Sequence, residues 1–471
     1  MIPDTSILEN NNEKDEEIED LLSGYVEEDD HVFVVLDDDP TGVQCVHDIN
    51  VYTDISHESI RDGFDHKLFF ILTNSRAMSE DQTKNYHEKL IETVSEVSKE
   101  TGKKYLYISR GDSTLRGHYP LEPDILCAGL VKDYGKVDGE ILIPYFKEGG
   151  RFTIDDVHYV KYEDRLIPCA ETEFAKDKTF GYSSSDLKGY IEEKTDGKIA
   201  KEDVLSICLN DLKNRRSEKI CDLLCQAHDR KRIIVNAVCD DDIRVFCIAL
   251  YQAMKKGKIF SFRTAASFVK CVGGVSDKDL LSHEELISGE QKNGGIIVIG
   301  SHTDKTTRQM EMLRRIEGLE FIEFKCSKIL ESKEEWEREI RRCVSLEEEL
   351  ISKGKSVVIY TERVLLSFES DSKEEALERS VRISEGVYTL IKDLKVRPSF
   401  VVAKGGITSA DVGVKGLGIR KALVLGQIEP GVPVWKADSE SKFPDIPYVI
   451  FPGNVGDDDT LHNAVKKLLS C

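Results

Sequence analysis

Three carboxylates in a row, Asp37, Asp38 and Asp39, follow the apolar run 32–36 and precede Pro40, Thr41 and Gly42. A continuous apolar run bounded by turn residues predicts a strand buried on both faces, with the acids at its carboxyl end. In an open α/β sheet the carboxyl ends of the strands border the crevice where ligands bind. Adjacent acids repel one another, so this trio calls for a metal ion, a basic side chain or a donor-rich substrate. A solvated turn, with Asp39 and Thr41 bonding locally to backbone, accounts for the same residues equally well.

A second stretch with chemical potential runs from Arg110 to Gly117, RGDSTLRG, directly after a predicted strand at 104–108. Its guanidinium at Arg116 suits a carboxylate in planar, two-pronged fashion, which makes Arg116 a candidate holder of an acidic substrate. The competing structural role is a helix cap at Asp112 with Arg116 in a surface ion pair. A third stretch, AKGGITSAD at 403–411, follows the predicted strand 399–403. Gly405 and Gly406 let backbone approach a bound group, and amides opening a helix suit an anion. Lys404 stands beside them, while Thr408 and Ser409 could cap that helix or donate to phosphate oxygens. GSHT at 300–303 and PGNVG at 452–456 repeat the arrangement. Three such turns favour a nucleotide, although neither the Walker pattern nor G-x-G-x-x-G occurs.

These stretches need elements to hold them. Strands are predicted at 32–36, 49–53, 68–73, 104–108 and 141–144, with helices at 79–99 and 122–132 between them. The segment 151–169 is predicted to be an antiparallel excursion, after which Ser185 or Asp186 caps a helix and strands resume at 204–208 and 232–236. Helices are expected at 240–256 and 264–272. A second alternating series has strands at 295–299, 320–324, 356–360, 399–403, 422–425 and 448–451, with helices at 306–316, 333–352 and 372–394. Alternation of this kind defines the α/β class, with a largely parallel sheet in each domain. The expected organisation is an acidic extension at 1–30, a first domain at 31–272, a linker at 273–294 and a second domain at 295–471, with the active site in the cleft between the domains. Within the extension, Ile18, Leu21, Leu22 and Tyr25 form one helical stripe predicted to dock on the first domain.

The length of 471 residues is itself too great for one typical core. A formal charge of −22 opposes nucleic acid or an anionic membrane as partner. The 12 cysteines include no C-x-x-C pair, and their scatter suits free thiols in a cytoplasmic setting. Cys221 and Cys225 fall on one helix face as small hydrophobes. No stretch is apolar enough to span a bilayer and the start lacks a signal-peptide pattern, so a soluble, cytoplasmic protein is expected. The composition leaves a homodimer open.

With those residues in view, the chain resembles the four-carbon acid sugar kinase family from about Val32 to near its carboxyl terminus. The family signature similar to ADDLTG appears as DDDPTG, which maps its acid pair onto Asp38 and Asp39. DSTLRG is intact at 112–117, and the acid that follows maps onto Glu122. A family serine maps onto Ser301, the GGETS loop onto Gly405 to Ser409, and the PGNFG turn onto residues 452–456, including Gly453 and Asn454. Asp37 replaces an alanine, Pro40 a leucine, His118 an asparagine, Ile407 a glutamate and Phe451 a lysine. The resemblance implies an amino-terminal substrate domain, a carboxyl-terminal ATP domain, and Mg²⁺-dependent phosphorylation of the terminal hydroxyl of threonate, erythronate or 3-oxo-tetronate. It implies a substrate site that includes Asp38, Asp39, Asp112, Ser113, Arg116 and Glu122; the residues themselves suggest that Arg116, with Arg76 from the TNSR turn, grips the substrate carboxylate, and that Asp38 and Asp39 are the catalytic pair, binding the sugar hydroxyls while one accepts the proton. The nucleotide would be held by Ser301, Lys404, Gly405, Gly406, Ile407, Thr408, Ser409, Gly453 and Asn454. A sugar-acid or nucleotide sensor without turnover, and a dinucleotide-dependent dehydrogenase, are the other readings.

Overall fold

The computed structural model describes residues 5–9, 15–287, 289, 292–363, 366, 373–453 and 455–469. The chain divides into two units, one of residues 1–42 and 54–277, the other of residues 43–53 and 278–471. The unit boundary near 277 lies within the segment expected to link the domains. Residues 43–53, expected in the first domain, group with the second unit.

The first unit is built on seven parallel strands: β1 (His31–Asp37), β3 (Leu68–Leu72), β4 (Lys104–Arg110), β5 (Gly139–Ile143), β9 (Leu205–Ile207), β10 (Lys231–Val235) and β11 (Phe260–Thr264). Their order is β3-β1-β4-β11-β5-β10-β9. Every residue of β1 is buried, as its unbroken apolar run requires. The chain passes to one side of β1 to form β3 and to the other to form β4. The carboxyl ends of β1 and β4 are therefore the point where ligands gather in such sheets. Between β3 and β4, helix Glu80–Thr101 starts on a capping box in which Ser79 and Gln82 satisfy each other's backbone N–H. The excursion is a separate antiparallel sheet of β6 (Arg151–Ile154), β7 (Val157–Tyr162) and β8 (Arg165–Pro168). Asp186, rather than Ser185, caps the helix Leu187–Lys194.

Strand β11 departs from the sequence reading, in which Thr264 opens a helix: Thr264 ends the strand and the helix spans Ala266–Val272. Two polar residues, Ser261 and Arg263, interrupt its apolar pattern, yet all five positions are buried. The amino-terminal helix Glu16–Glu28 packs on helix Asp240–Lys255 through buried Ile18 and Leu22, and Tyr25 accepts the Lys255 ammonium over its ring. Leu21, expected in that stripe, is exposed.

The second unit has the order β13-β14-β12-β15-β18-β17-β16-β2. Its parallel strands are β12 (Ile296–Ile299), β13 (Glu320–Phe324), β14 (Val357–Thr361), β15 (Val401–Lys404) and β18 (Pro447–Phe451). An antiparallel end, formed by β16 (Lys421–Glu429), β17 (Val432–Ala437) and β2 (Ile49–Tyr52), was foreseen only as isolated strands or, for β17, not at all. Here the chain turns away from β12 toward β14 on one side and β15 on the other, so the ends of β12 and β15 form the corresponding switch point. Among the described residues no helix is long and apolar enough to cross a membrane, and the cysteines are free. Cys221 and Cys225 do share a face, with their sulfurs 3.9 Å apart.

Candidate functional site

In the first unit the acids and arginines converge at the ends of β1 and β4. Asp37 is the partner of Arg110 in the strand register, and the two side chains meet at 3.2 Å, Arg110 Nη1 to Asp37 Oδ1. Burial pushes the Asp37 carboxyl up to about 8 against the pull of Arg110, with Asp38 and Asp39 adding to the rise. A Cβ on Gly42 would collide with that carboxylate, so the turn needs glycine there.

Asp38 is also buried, and burial raises its pKa in spite of Arg76 and Arg263. Arg76 grips it at 2.5 and 3.3 Å and lies 3.5 Å from Asp39. Asp39 accepts both the backbone N–H and the hydroxyl of Thr41, at 2.9 and 2.6 Å, and its side chain retains 18% exposure against 2% for Asp38. The local turn expected at Asp39 is therefore present, and it leaves that carboxylate partly exposed.

The DSTLRG loop is fixed from outside itself. Its four successive carbonyls each accept a hydrogen bond from a different side chain. His158 Nε2 donates to Ser113 O at 2.8 Å, Tyr182 to Thr114 O at 2.7 Å, Tyr190 to Leu115 O at 2.8 Å and Arg263 Nη2 to Arg116 O at 3.2 Å. Burial holds His158 down at about 4, so its ring is neutral, with Nε2 protonated and Nδ1 accepting from Thr153 at 3.0 Å. Leu115 has φ of +67°, a conformation that a non-glycine residue keeps only where its surroundings over-determine it, and Gly117 has φ of +122°, which glycine tolerates.

Arg116 pairs with Asp112 at 2.7 Å and lies 3.8 Å from Asp177. Burial would raise the Asp112 carboxyl, but Arg116, Arg76 and the hydroxyl of Thr114 outweigh it and hold it well below the usual range. Asp112 caps no helix. Glu122, proposed from the sequence to reach substrate, is buried and faces inward, bonded to Ser75, to Ser109 at 3.3 Å and to Arg263 at 2.7 Å. Arg263, with Nη1 also 2.8 Å from Ser109, is the central residue that motif reading missed. Its only sequence signal was a polar residue alternating with Phe260 and Phe262. His118 bonds the carbonyls of Ser75 and Met78, each at 3.1 Å, and packs edge-on against Phe180.

The second unit gathers its glycine-rich turns at the ends of β12, β15 and β18. Gly405 has φ of +118°, and a Cβ there would lie 3.3 Å from the Ser301 Cβ and 3.4 Å from the Thr408 hydroxyl. The hydroxyls of Ser301, Thr303 and Thr306 form a chain, and Thr303 caps helix Asp304–Leu313. Arg363 donates to Ser301 O at 2.7 Å and to Thr307 at 2.8 Å. A cavity of about 410 Å³ opens here, bordered by Ser301, His302, Gly405, Gly406, Ile407, Thr408 and Gly453, with Leu366, Ile383 and Val387 as apolar lining.

Two residues expected at this site point elsewhere. The Ser409 hydroxyl is buried on Ala403 O at 2.9 Å, so it neither caps nor faces the cavity. Lys404 is fully buried and ties β15 to the next turn through Pro452 O at 2.5 Å and Gly453 O at 3.2 Å. Burial, with Lys305 adding, lowers its pKa to about 7. Its ammonium lies 4.4 Å from the centre of the Phe451 ring. Ile407 is 64% exposed. Asn454 lies outside the described residues. Among the described residues the one trio with metal-ligand spacing, Asp29, Asp30 and His31, is at the opposite end of β1 from Asp38 and is already engaged by Lys67.

Residues 33–272 match the family model of a sugar-binding N-terminal domain, and residues 296–461 that of a nucleotide-binding C-terminal domain. The two matches define a protein that binds a sugar with its first domain and a nucleotide with its second. The chain belongs to the four-carbon acid sugar kinase family. Among solved structures, a Salmonella typhimurium LT2 protein described as a proposed tRNA synthase has a similar fold (TM-score 0.68, 15% identity, 92% of this chain and 98% of that one). A Haemophilus influenzae protein of the DUF1537 family is also similar (TM-score 0.60, 17% identity, 92% of this chain and 100% of that one). No curated protein matches the chain by sequence.

Proposed function

We propose that the protein is an ATP-dependent kinase that phosphorylates the terminal hydroxyl of a four-carbon sugar acid. The observation that carries this reading is the arginine–carboxylate cluster around an intact DSTLRG loop, in a chain whose second domain binds a nucleotide. Phosphoryl transfer asks little covalent chemistry of the protein; it needs alignment, charge neutralisation and a proton acceptor.

On this reading Asp39 takes the proton of the attacking hydroxyl, since it keeps solvent access, while Asp38 binds a sugar hydroxyl and holds Arg76 in place. Arg116 faces the acid while shared with Asp112, and Ser113 lies beside it. Gly405, Gly406 and Gly453 give the phosphates close backbone approach, Ser301 and Thr408 supply hydroxyls, and the apolar lining receives the base. Bound together with ATP, Mg²⁺ would neutralise phosphate charge. Glu122, Lys404 and Ser409 act by holding the machinery rather than by touching ligand.

ADP release is the test. It should require both ATP–Mg²⁺ and one member of a panel of threonates, erythronates and 3-oxo-tetronates, with threitol inactive. ADP release that is unaffected by every acid in the panel would contradict the proposal.

A further inference from the structure

The excursion places an arginine that neither motif contains at the carboxyl end of the first unit's sheet. Arg151 opens β6, and its backbone exchanges two hydrogen bonds with Phe146, just beyond β5: Phe146 N to Arg151 O at 3.1 Å and Arg151 N to Phe146 O at 2.9 Å. The intervening turn depends on glycine, since Gly150 has φ of +71° and a Cβ on Gly149 would lie 2.9 Å from Arg151 Nη1. The turn thereby directs the arginine toward the motif loop. Its guanidinium carbon is 5.6 Å from the centre of the Phe174 ring, and that of Arg116 is 5.0 Å from the same ring.

Charge compensation separates the three arginines that surround Asp112. Arg76 has Asp38 and Asp39, at 2.5 and 3.5 Å. Arg116 has Asp112 and Asp177, at 2.7 and 3.8 Å. Arg151 has no ion-pair partner among the described residues: Nη1 donates to the Gly149 carbonyl and Nε is buried without a hydrogen-bond partner. Burial lowers its pKa and the neighbouring Arg116 adds to that, while Asp112, Tyr162 and Glu173 pull the other way without forming an ion pair with it among the described residues. Because Asp112 is already paired with Arg116, the half-buried Arg151 is the less compensated of the two cations, and a further anion between them would relieve it.

We infer that Arg151 receives the carboxylate of the substrate, with Arg116 across the shared Phe174 ring as the second guanidinium of the site. The identity of the acid rests on the kinase reading; the presence of a carboxylate site does not. Arg151 is then the residue that separates acids from neutral polyols of the same length.

The test is modification of the full-length protein by phenylglyoxal in a borate-free buffer, mapped by mass spectrometry. Arg151 should react faster than Arg76, Arg110, Arg116 and Arg263, and threonate or erythronate should slow it about tenfold or more while threitol does not. Protection by acetate or malonate, with none by any four-carbon acid, would keep Arg151 as a carboxylate site and overturn the substrate reading instead. Absence of protection by every carboxylate would overturn the inference. In calorimetry Arg151→Gln should weaken the protecting acid about tenfold or more, the scale of one charged hydrogen bond, and Arg151→Lys should recover part of the loss. Unchanged affinity in a folded Arg151→Gln protein would refute it.

Discussion

Glu347 gives the account a test that is independent of any ligand. It lies on the inward stripe of helix Lys333–Ser352 with Trp336, Cys343 and Ile351, fully buried. Neither carboxylate oxygen has a hydrogen-bond partner. Burial, with Glu348 adding, pushes its pKa from 4.5 up to about 8. The folded protein therefore keeps a proton that the unfolded chain releases, and this contribution to stability is present below about pH 4.5 and is lost as pH rises through about 8. At about 1.4 kcal/mol per pKa unit, the loss between pH 4.5 and pH 7 amounts to about 3 kcal/mol. Glu347→Gln removes the titration, so the stability of the variant relative to wild type should improve by about that amount over the same interval. Both tryptophans, Trp336 and Trp435, belong to the second unit, so urea unfolding followed by tryptophan fluorescence reports this unit alone. Parallel pH profiles for wild type and variant would refute the reasoning.

Other perturbations bear on the two sites. Arg263→Gln leaves the buried acids Glu122 and Asp38 without their shared cation, which should cost about 3–5 kcal/mol and appear as a lowered melting temperature of the first unit. Tyr182→Phe orphans the Thr114 carbonyl; a loss of about 1–3 kcal/mol is expected, with weakened sugar-acid binding and unchanged nucleotide binding by calorimetry. Gly405→Ala forces a side chain into φ of +118°, a strain of about 1–3 kcal/mol. That variant should lose ATP affinity while retaining affinity for the acid, the opposite pattern to Tyr182→Phe.

Alternation of apolar runs with helical periodicity made the parallel sheets legible, because a strand buried on both faces writes itself as a continuous apolar run. β1 and β12 are of this kind. β11 is not: Ser261 and Arg263 sit in a buried strand because Cys127, Ser109 and Glu122 meet them there, and those partners are far away in sequence. The same limit applies to roles within motifs. Glu122, Lys404 and Ser409 stand next to site residues in sequence, yet their side chains turn inward to bond the framework. Conversely, His158, Tyr182 and Tyr190 hold the DSTLRG loop from segments that carry no motif. The substitution of Asp37 for alanine is intelligible only with Arg110 opposite it in the register.

The central claim is transfer of a phosphoryl group from ATP to the terminal hydroxyl of a four-carbon sugar acid. Mass spectrometry and phosphorus NMR of the products formed with ATP–Mg²⁺ and the acid panel test it most directly. The account predicts one acid gaining a single phosphoryl group on its terminal oxygen, with product formation abolished in Asp39→Asn. Saturable binding of both ATP and a panel acid, without any phosphorylated product, would contradict it.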